Sequence, residues 1–258
     1  MMIRQNLKVH VLVVALFFAP PILAQQVTPP STGNPRLDNY RNSRIRIYMN
    51  DFGELSRHRG DNGALRAMPL PDNRVVFFGD SITDMWKLER YFSGKPYVNR
   101  GIDGQTTPQM LVRFRQDVID LHPKVVVILA GTNDIAGNTG PMLIDDIEAN
   151  YSSMAELARA HNIRVVFSSI LPVHNDTPES RELFAERPRE RILELNSWLK
   201  DYCAANGLVY LDYFTPMLDN KGMLNRDLAD DGLHPNVEGY KVMAPLAEAA
   251  IQKAVEMR

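Results

Sequence analysis

Short, unbroken apolar runs recur along the chain, separated by longer segments in which apolar residues return every three or four positions. Residues 74–78 (RVVFF), 124–129 (KVVVIL), 164–167 (RVVF) and 208–211 (LVYL) are such runs, and 97–99 (YVN) is a weaker one. They are rich in β-branched and aromatic residues and too short for helices, so they predict strands. None alternates apolar with polar residues, which is the mark of strands buried on both faces in a parallel sheet. Segments 108–121, 144–161, 188–206 and 236–257 supply the covering helices. Leu111, Phe114, Val118 and Leu121 form an apolar stripe in the first, and Ile192, Leu195, Leu199 and Tyr202 in the third. Pro245 is expected to kink the last. Strand and helix alternate, which predicts an α/β fold, a three-layer α/β/α sandwich with a five-stranded parallel sheet. Ligands in such folds bind beyond the carboxyl ends of the strands.

The first part of the chain has a different texture. Arg4 and Lys8 precede an apolar stretch over residues 9–23, and Ala24 stands before a polar boundary. This is the pattern of a secretory signal peptide over residues 1–24, cleaved after Ala24. Pro20 and Pro21 interrupt the stretch, which is shorter than the roughly 20 residues of a membrane-spanning helix. Residues 25–35 are polar and Pro-rich and read as a flexible linker. Over residues 36–59, Ile45, Tyr48, Met49, Phe52 and Leu55 fall at helical spacing and predict one amphipathic helix on the outside of the domain. Residues 36–258 thus form a single domain. The protein is expected to be exported, to periplasm or exterior, with no stable membrane insertion once the signal is removed.

Composition narrows the picture modestly. At 258 residues, 45% hydrophobic and 23% charged, the chain is an ordinary globular protein. Its net charge of −2 becomes 27 − 31 = −4 without the signal peptide, which leaves no electrostatic footprint for nucleic acid. Cys203 is the single cysteine, so no intramolecular disulfide forms, no thiol in the signal segment can carry a lipid, and Cys203 reads as a buried small hydrophobe.

The candidate chemistry lies where predicted strands end. The first strand runs into Gly79-Asp80-Ser81, placing a serine hydroxyl at the sheet edge in a strand-to-helix turn; such a serine is either a nucleophile or a helix cap. The third ends in Gly131-Thr132-Asn133-Asp134, which brings an amide donor to the same edge. After the second comes Gly101-Ile102-Asp103-Gly104, where Gly101 can bring its N–H close to a substrate. This segment lacks the G-x-G-x-x-G spacing of a dinucleotide site. Near the C-terminus, Asp231 and His234 stand three apart in Asp231-Gly232-Leu233-His234-Pro235. That spacing lets the carboxylate reach Nδ1 and leaves Nε2 outward as a general base. Of the other histidines, His10, His58, His122 and His161 are poorly placed, while His174, after a strand end, is expected to line the site. The long charged connection 171–188 is expected to shape the substrate pocket.

Taken in order, these segments resemble the sequence blocks of the SGNH hydrolases, or GDSL-type lipases and esterases, with similarity to the platelet-activating-factor acetylhydrolase-like branch. The resemblance spans residue 74 to the C-terminus and implies the flavodoxin-like fold of that family. It also implies a serine esterase with Ser81 as nucleophile, His234 as base and Asp231 as its orienter. The implied oxyanion hole is formed by Ser81, Gly101 and Asn133. Asp80, Thr132 and Asp134 are read as supporting residues. The mechanism calls for no cofactor and no metal. Short acyl (acetyl) esters of carbohydrates or small molecules are the expected substrates. A lysophospholipase- or thioesterase-like acylhydrolase is the alternative within the family, and a catalytically silent envelope binding module the alternative outside it. Oligomeric state is left open.

Overall fold

The computed structural model of the chain describes residues 31–257. The signal peptide and residues 25–30 of the linker expected from the sequence lie outside the described residues. The end of that segment is not a free tether, because Asn34 caps the first helix and Pro35 begins it. Five strands, β1 (Val75–Gly79), β2 (Tyr97–Gly101), β3 (Val125–Leu129), β4 (Arg164–Ser168) and β5 (Val209–Leu211), form one parallel sheet in the order β2-β1-β3-β4-β5. Every apolar run singled out in the sequence is one of them. The register pairs Gly79 with Gly101 on one side and with Leu129 on the other, so β1, β2 and β3 end level.

The helices in chain order are α1 (Pro35–Asp51), α2 (Arg59–Ala67), α3 (Ser81–Asp84), α4 (Leu88–Tyr91), α5 (Thr107–Asp117), α6 (Thr132–Ile135), α7 (Ile144–Ala160), α8 (Pro178–Ala185), α9 (Arg189–Asn206) and α10 (Val237–Glu256). The strands lack alternation because both faces are dry. Val76, Phe78, Val126, Ile128, Val165 and Phe167 point into one core with residues of α5, α7 and α9. Val75, Phe77, Val125, Val127 and Val166 point into the other, with Trp86 and the α10 residues Met243, Ala247 and Ile251. Cys203 is buried on α9, and loss of water around its thiol pushes the pKa up to about 12, which keeps it protonated and inert.

The structure departs from the sequence reading at the N-terminal side. The single helix expected over 36–59 is two helices, α1 and α2, joined by a turn. Asp51 ends α1 by accepting from the N–H groups of Leu55 (2.8 Å) and Ser56 (3.0 Å), and Glu54 adopts φ 51°. The apolar face drawn for that helix is not a buried one, since Met49 is 73% exposed and Phe52 39%. The buried side chains of α1 are instead Leu37 and Arg41. Within the long connection 171–188, Thr177 and Ser180 form a capping box that starts α8. Helix α10 runs unbroken as secondary structure through Pro245.

Candidate active site

Helix α3 begins at Ser81 because Asp80, extended at φ −97°, accepts from the Ile82 N–H at 3.0 Å and caps it. The turn out of β1 is tight: a Cβ on Gly79 would lie 2.6 Å from the Leu129 carbonyl oxygen. Tyr240 of α10 donates to the Ile82 carbonyl at 2.7 Å and ties the turn to the helix packed beside it on the same face of the sheet. The Ser81 hydroxyl, thus fixed, stands 2.8 Å from Nε2 of His234.

His234 is held from its other side. Its Nδ1 lies 2.6 Å from Oδ2 of Asp231, whose Oδ1 accepts from the N–H groups of Leu233 (2.9 Å) and His234 (2.8 Å). Burial acts to raise the Asp231 pKa, but these bonds and the facing imidazole outweigh it and hold the carboxyl below the usual carboxylate range. An ionised carboxylate on Nδ1 fixes the tautomer in which Nε2 is an acceptor, the form that can take a hydroxyl proton. Ser81, Asp231 and His234 are therefore brought together in the arrangement that the spacing anticipated.

Gly131, at φ 99°, turns the chain out of β3 into α6 and delivers Asn133, which is buried. Its Nδ2 donates to the Gln105 carbonyl at 3.1 Å, placing the amide beside the loop that follows β2. Gly101 does not present its N–H to this space. That group donates to Oδ1 of Asn99 at 2.8 Å, and the Gly101 α-carbon packs against the Thr83–Asp84 backbone. The Gly104 N–H, in contrast, has no acceptor among the described residues. The Gly104 carbonyl is anchored by Asn138 Nδ2 (3.0 Å) and the Tyr40 hydroxyl (3.3 Å). The structure thus replaces Gly101 by Gly104 as the glycine with a free amide. The signal was available: Gly101 is the last residue of a strand, whereas Gly104, at φ 71°, lies in the turn beyond it.

Two further expectations change. His174 does not line the site; it is fully buried, with Nε2 3.0 Å from the Ala229 carbonyl, and packs beneath the Asp231–His234 turn. His58, set aside as part of a polar helix, is buried with Nε2 3.0 Å from the Gly101 carbonyl, and burial lowers its pKa. Asp80 and Asp134 are wholly enclosed, and loss of hydration pushes their pKa values up to about 7 and about 6. Asp134 holds α5 in place by accepting from the N–H (2.9 Å) and hydroxyl (2.6 Å) of Thr107. Among the described residues there is no cluster of His, Cys, Asp and Glu arranged to hold a metal ion.

Comparison with known proteins agrees with this geometry. The model of the GDSL-like lipase/acylhydrolase family matches residues 77–242, from β1 through the His234 turn into α10. A candidate acylhydrolase from Bacteroides fragilis is 40% identical, with a TM-score of 0.72 over 80% of this chain and 99% of its own. A GDSL-like lipase from Bacteroides thetaiotaomicron is also 40% identical, with a TM-score of 0.72 over 79% of this chain and all of its own. The lipoprotein YqeF of Bacillus subtilis is 32% identical over 118 residues, 38% of this chain; the match spans about half (49%) of that protein's length. An acetylxylan esterase from Geobacillus stearothermophilus shares the fold at 20% identity and a TM-score of 0.57, covering 70% of this chain and 94% of its own. On the match of 77–242 and the strand-end geometry together, this chain belongs to the GDSL-like lipase/acylhydrolase family, the SGNH hydrolases, a family of hydrolases acting on esters.

Proposed function

We propose that the protein is an exported serine esterase that cleaves short-chain esters of carbohydrates or small molecules through an acyl-enzyme on Ser81. The observation that carries this reading is the continuous chain Ser81 Oγ to His234 Nε2 to Asp231, at 2.8 and 2.6 Å. As His234 takes the hydroxyl proton, Ser81 Oγ attacks the ester carbonyl. The carbonyl oxygen becomes an oxyanion facing the N–H groups of Ser81 and Gly104 and the amide of Asn133. His234 then returns the proton to the departing alcohol, and water, activated the same way, releases the acid.

Hydrolysis of p-nitrophenyl esters of increasing acyl length by the mature protein and by Ser81→Ala tests this. Acetate cleavage that Ser81→Ala loses by roughly a million-fold is expected; no cleavage of any ester would leave the binding-module reading standing. Export rests on the basic-then-apolar pattern of residues 1–24. An intact mass beginning at Gln25 in the exported protein is the expected result, and retention of Met1 would refute cleavage.

A further inference from the structure

One buried cation in this protein has no step in ester hydrolysis, yet it grips the amide that faces the oxyanion. Arg187 lies in the turn between α8 and α9 and is 2% exposed. Its Nε donates to the hydroxyl of Thr132 at 3.0 Å and its Nη2 to Oδ1 of Asn133 at 3.3 Å. A guanidinium has donors only. The Asn133 atom facing Arg187 must therefore be the oxygen, which forces Nδ2 to the opposite side, toward Gln105 and the space in front of Ser81. One Nδ2 hydrogen is used by the Gln105 carbonyl, and the other is left for the substrate oxygen. The Gln105 carbonyl, an acceptor only, selects the same orientation from the other side. Arg187 adds the second hold, on the oxygen end, that one bond to Nδ2 does not supply. A flipped amide would place an acceptor against a developing negative charge.

Arg187 is in turn held from outside. Its Nη1 donates to Oε2 of Glu186 at 3.1 Å, and Glu186 also accepts from Arg36 Nη1 (2.5 Å to Oε2) and Asn34 Nδ2 (3.0 Å). Asn34 is the N-cap of α1, so the start of that helix ends on the same carboxylate. Farther along α1, Tyr40 donates to the Gly104 carbonyl and Arg41 donates to the Gly137 carbonyl at 2.9 Å from Nε. Arg36, Tyr40 and Arg41 thus reach three loops, those bearing Arg187, Gly104 and the residues after Asn133. Helix α1 precedes the family match of 77–242 entirely.

We propose that Arg187 is a positioning residue that fixes the orientation of the Asn133 amide, and that α1 braces it there through Glu186. The proposal rests on the esterase reading above. Ser81-dependent cleavage of p-nitrophenyl acetate by the wild type establishes that reading separately; without it both fall.

The decisive measurement is a double-mutant cycle in kcat on the full mature protein. Asn133→Ala is expected to lower kcat by about 100-fold or more, as loss of one oxyanion donor does. Arg187→Lys, which keeps the charge but not the fork, is expected to lower kcat at least about ten-fold with KM within about two-fold. In the Asn133→Ala background it should cost nothing further. Arg36→Ala, at a side chain 38% exposed, is the milder substitution and keeps the test open should Arg187→Lys fail to fold. It is expected to lower kcat several-fold in the wild type and not at all in the Asn133→Ala background. Losses that multiply in the double variants, or an Arg187→Lys or Arg36→Ala protein with wild-type kcat, would overturn the proposal.

Discussion

His174 lies directly beneath Gly232: its N–H donates to the Gly232 carbonyl at 3.1 Å, and a Cβ on Gly232 would stand 2.8 Å from the His174 carbonyl oxygen. Gly232 also holds φ at 88°, and Ser180 Cβ would meet the same added carbon at 2.5 Å. The turn that sets Asp231 against His234 therefore exists only because residue 232 has no side chain. Gly232→Ala is expected to destabilise the protein by about 1–3 kcal/mol. It should also lower ester cleavage disproportionately, because the strain falls between the two residues of the pair. Thermal unfolding and kcat on one preparation check this; a variant with normal stability and rate would show that the turn tolerates the carbon.

Asp231→Asn removes the charge at Nδ1 while preserving shape. An asparagine oxygen can still accept from the Leu233 and His234 N–H groups, which turns its NH₂ toward Nδ1 and leaves Nε2 carrying the proton. Such an imidazole cannot take the Ser81 proton. A loss of roughly ten-thousand-fold in kcat with little change in melting temperature is expected. A loss under about ten-fold would mean that Asp231 orients nothing of consequence.

The sheet and most of the site were legible because their signals are local. A run such as Val125 to Leu129, apolar at every position, has few ways to be buried except between two layers, and each layer does claim alternate residues. Likewise the Asp231–His234 contact is made within one turn, so its three-residue spacing nearly determines it. What could not be read was set by distant partners. The helix expected over 36–59 breaks where Gly53 packs against Val112 of α5, a contact without sequence proximity. His58 looked polar by its neighbours and is buried because the Gly101 carbonyl lies above it. Gly101 is the exception, losing its assignment to a local partner, the Asn99 side chain two residues away. Arg187 reads as one charge in a charged loop, and only the fold carries it to Thr132 and Asn133.

Asp80 gives the fold a pH dependence of definite sign. Burial raises its pKa from 3.8 to about 7, a shift that the neighbouring Asp134 reinforces and that the Ile82 N–H and the Arg187 cation only partly offset, and its Oδ2 has no partner among the described residues. The folded state thus holds this proton more tightly than the unfolded chain. The resulting stability is full below about pH 4 and is lost as pH rises through 7. Asp80→Asn keeps the cap to Ile82 and cannot ionise. The wild type is expected to lose on the order of 2 kcal/mol relative to this variant between pH 5 and 8. Parallel stability curves for the two proteins in urea would sink the assignment.

Arg113 joins the two strand ends on which Ser81 and Gly104 depend. It is fully buried on α5 and donates to the Gly79 carbonyl at 2.8 Å, the Arg100 carbonyl at 2.9 Å, Gln105 Oε1 at 2.6 Å and Asp117 Oδ2 at 2.9 Å. Its guanidinium also sits 4.1 Å from the centre of the Phe78 ring. Loss of water lowers its pKa to about 10, still well above neutrality, so the cation persists. Arg113→Met removes the cation in direct contact with Asp117, leaving the more distant Arg100 charge and Asn62 Nδ2 at 2.6 Å. An unpaired buried charge costs about 3–5 kcal/mol, so the urea midpoint should fall steeply. Adding Asp117→Leu removes that charge and is expected to restore part of the stability. Ester cleavage should not recover with it, because the Gly79, Arg100 and Gln105 contacts that set the spacing of the two loops stay lost. Recovery of both would make Arg113 a partner of Asp117 alone; recovery of neither would place its main contribution in the carbonyls it binds.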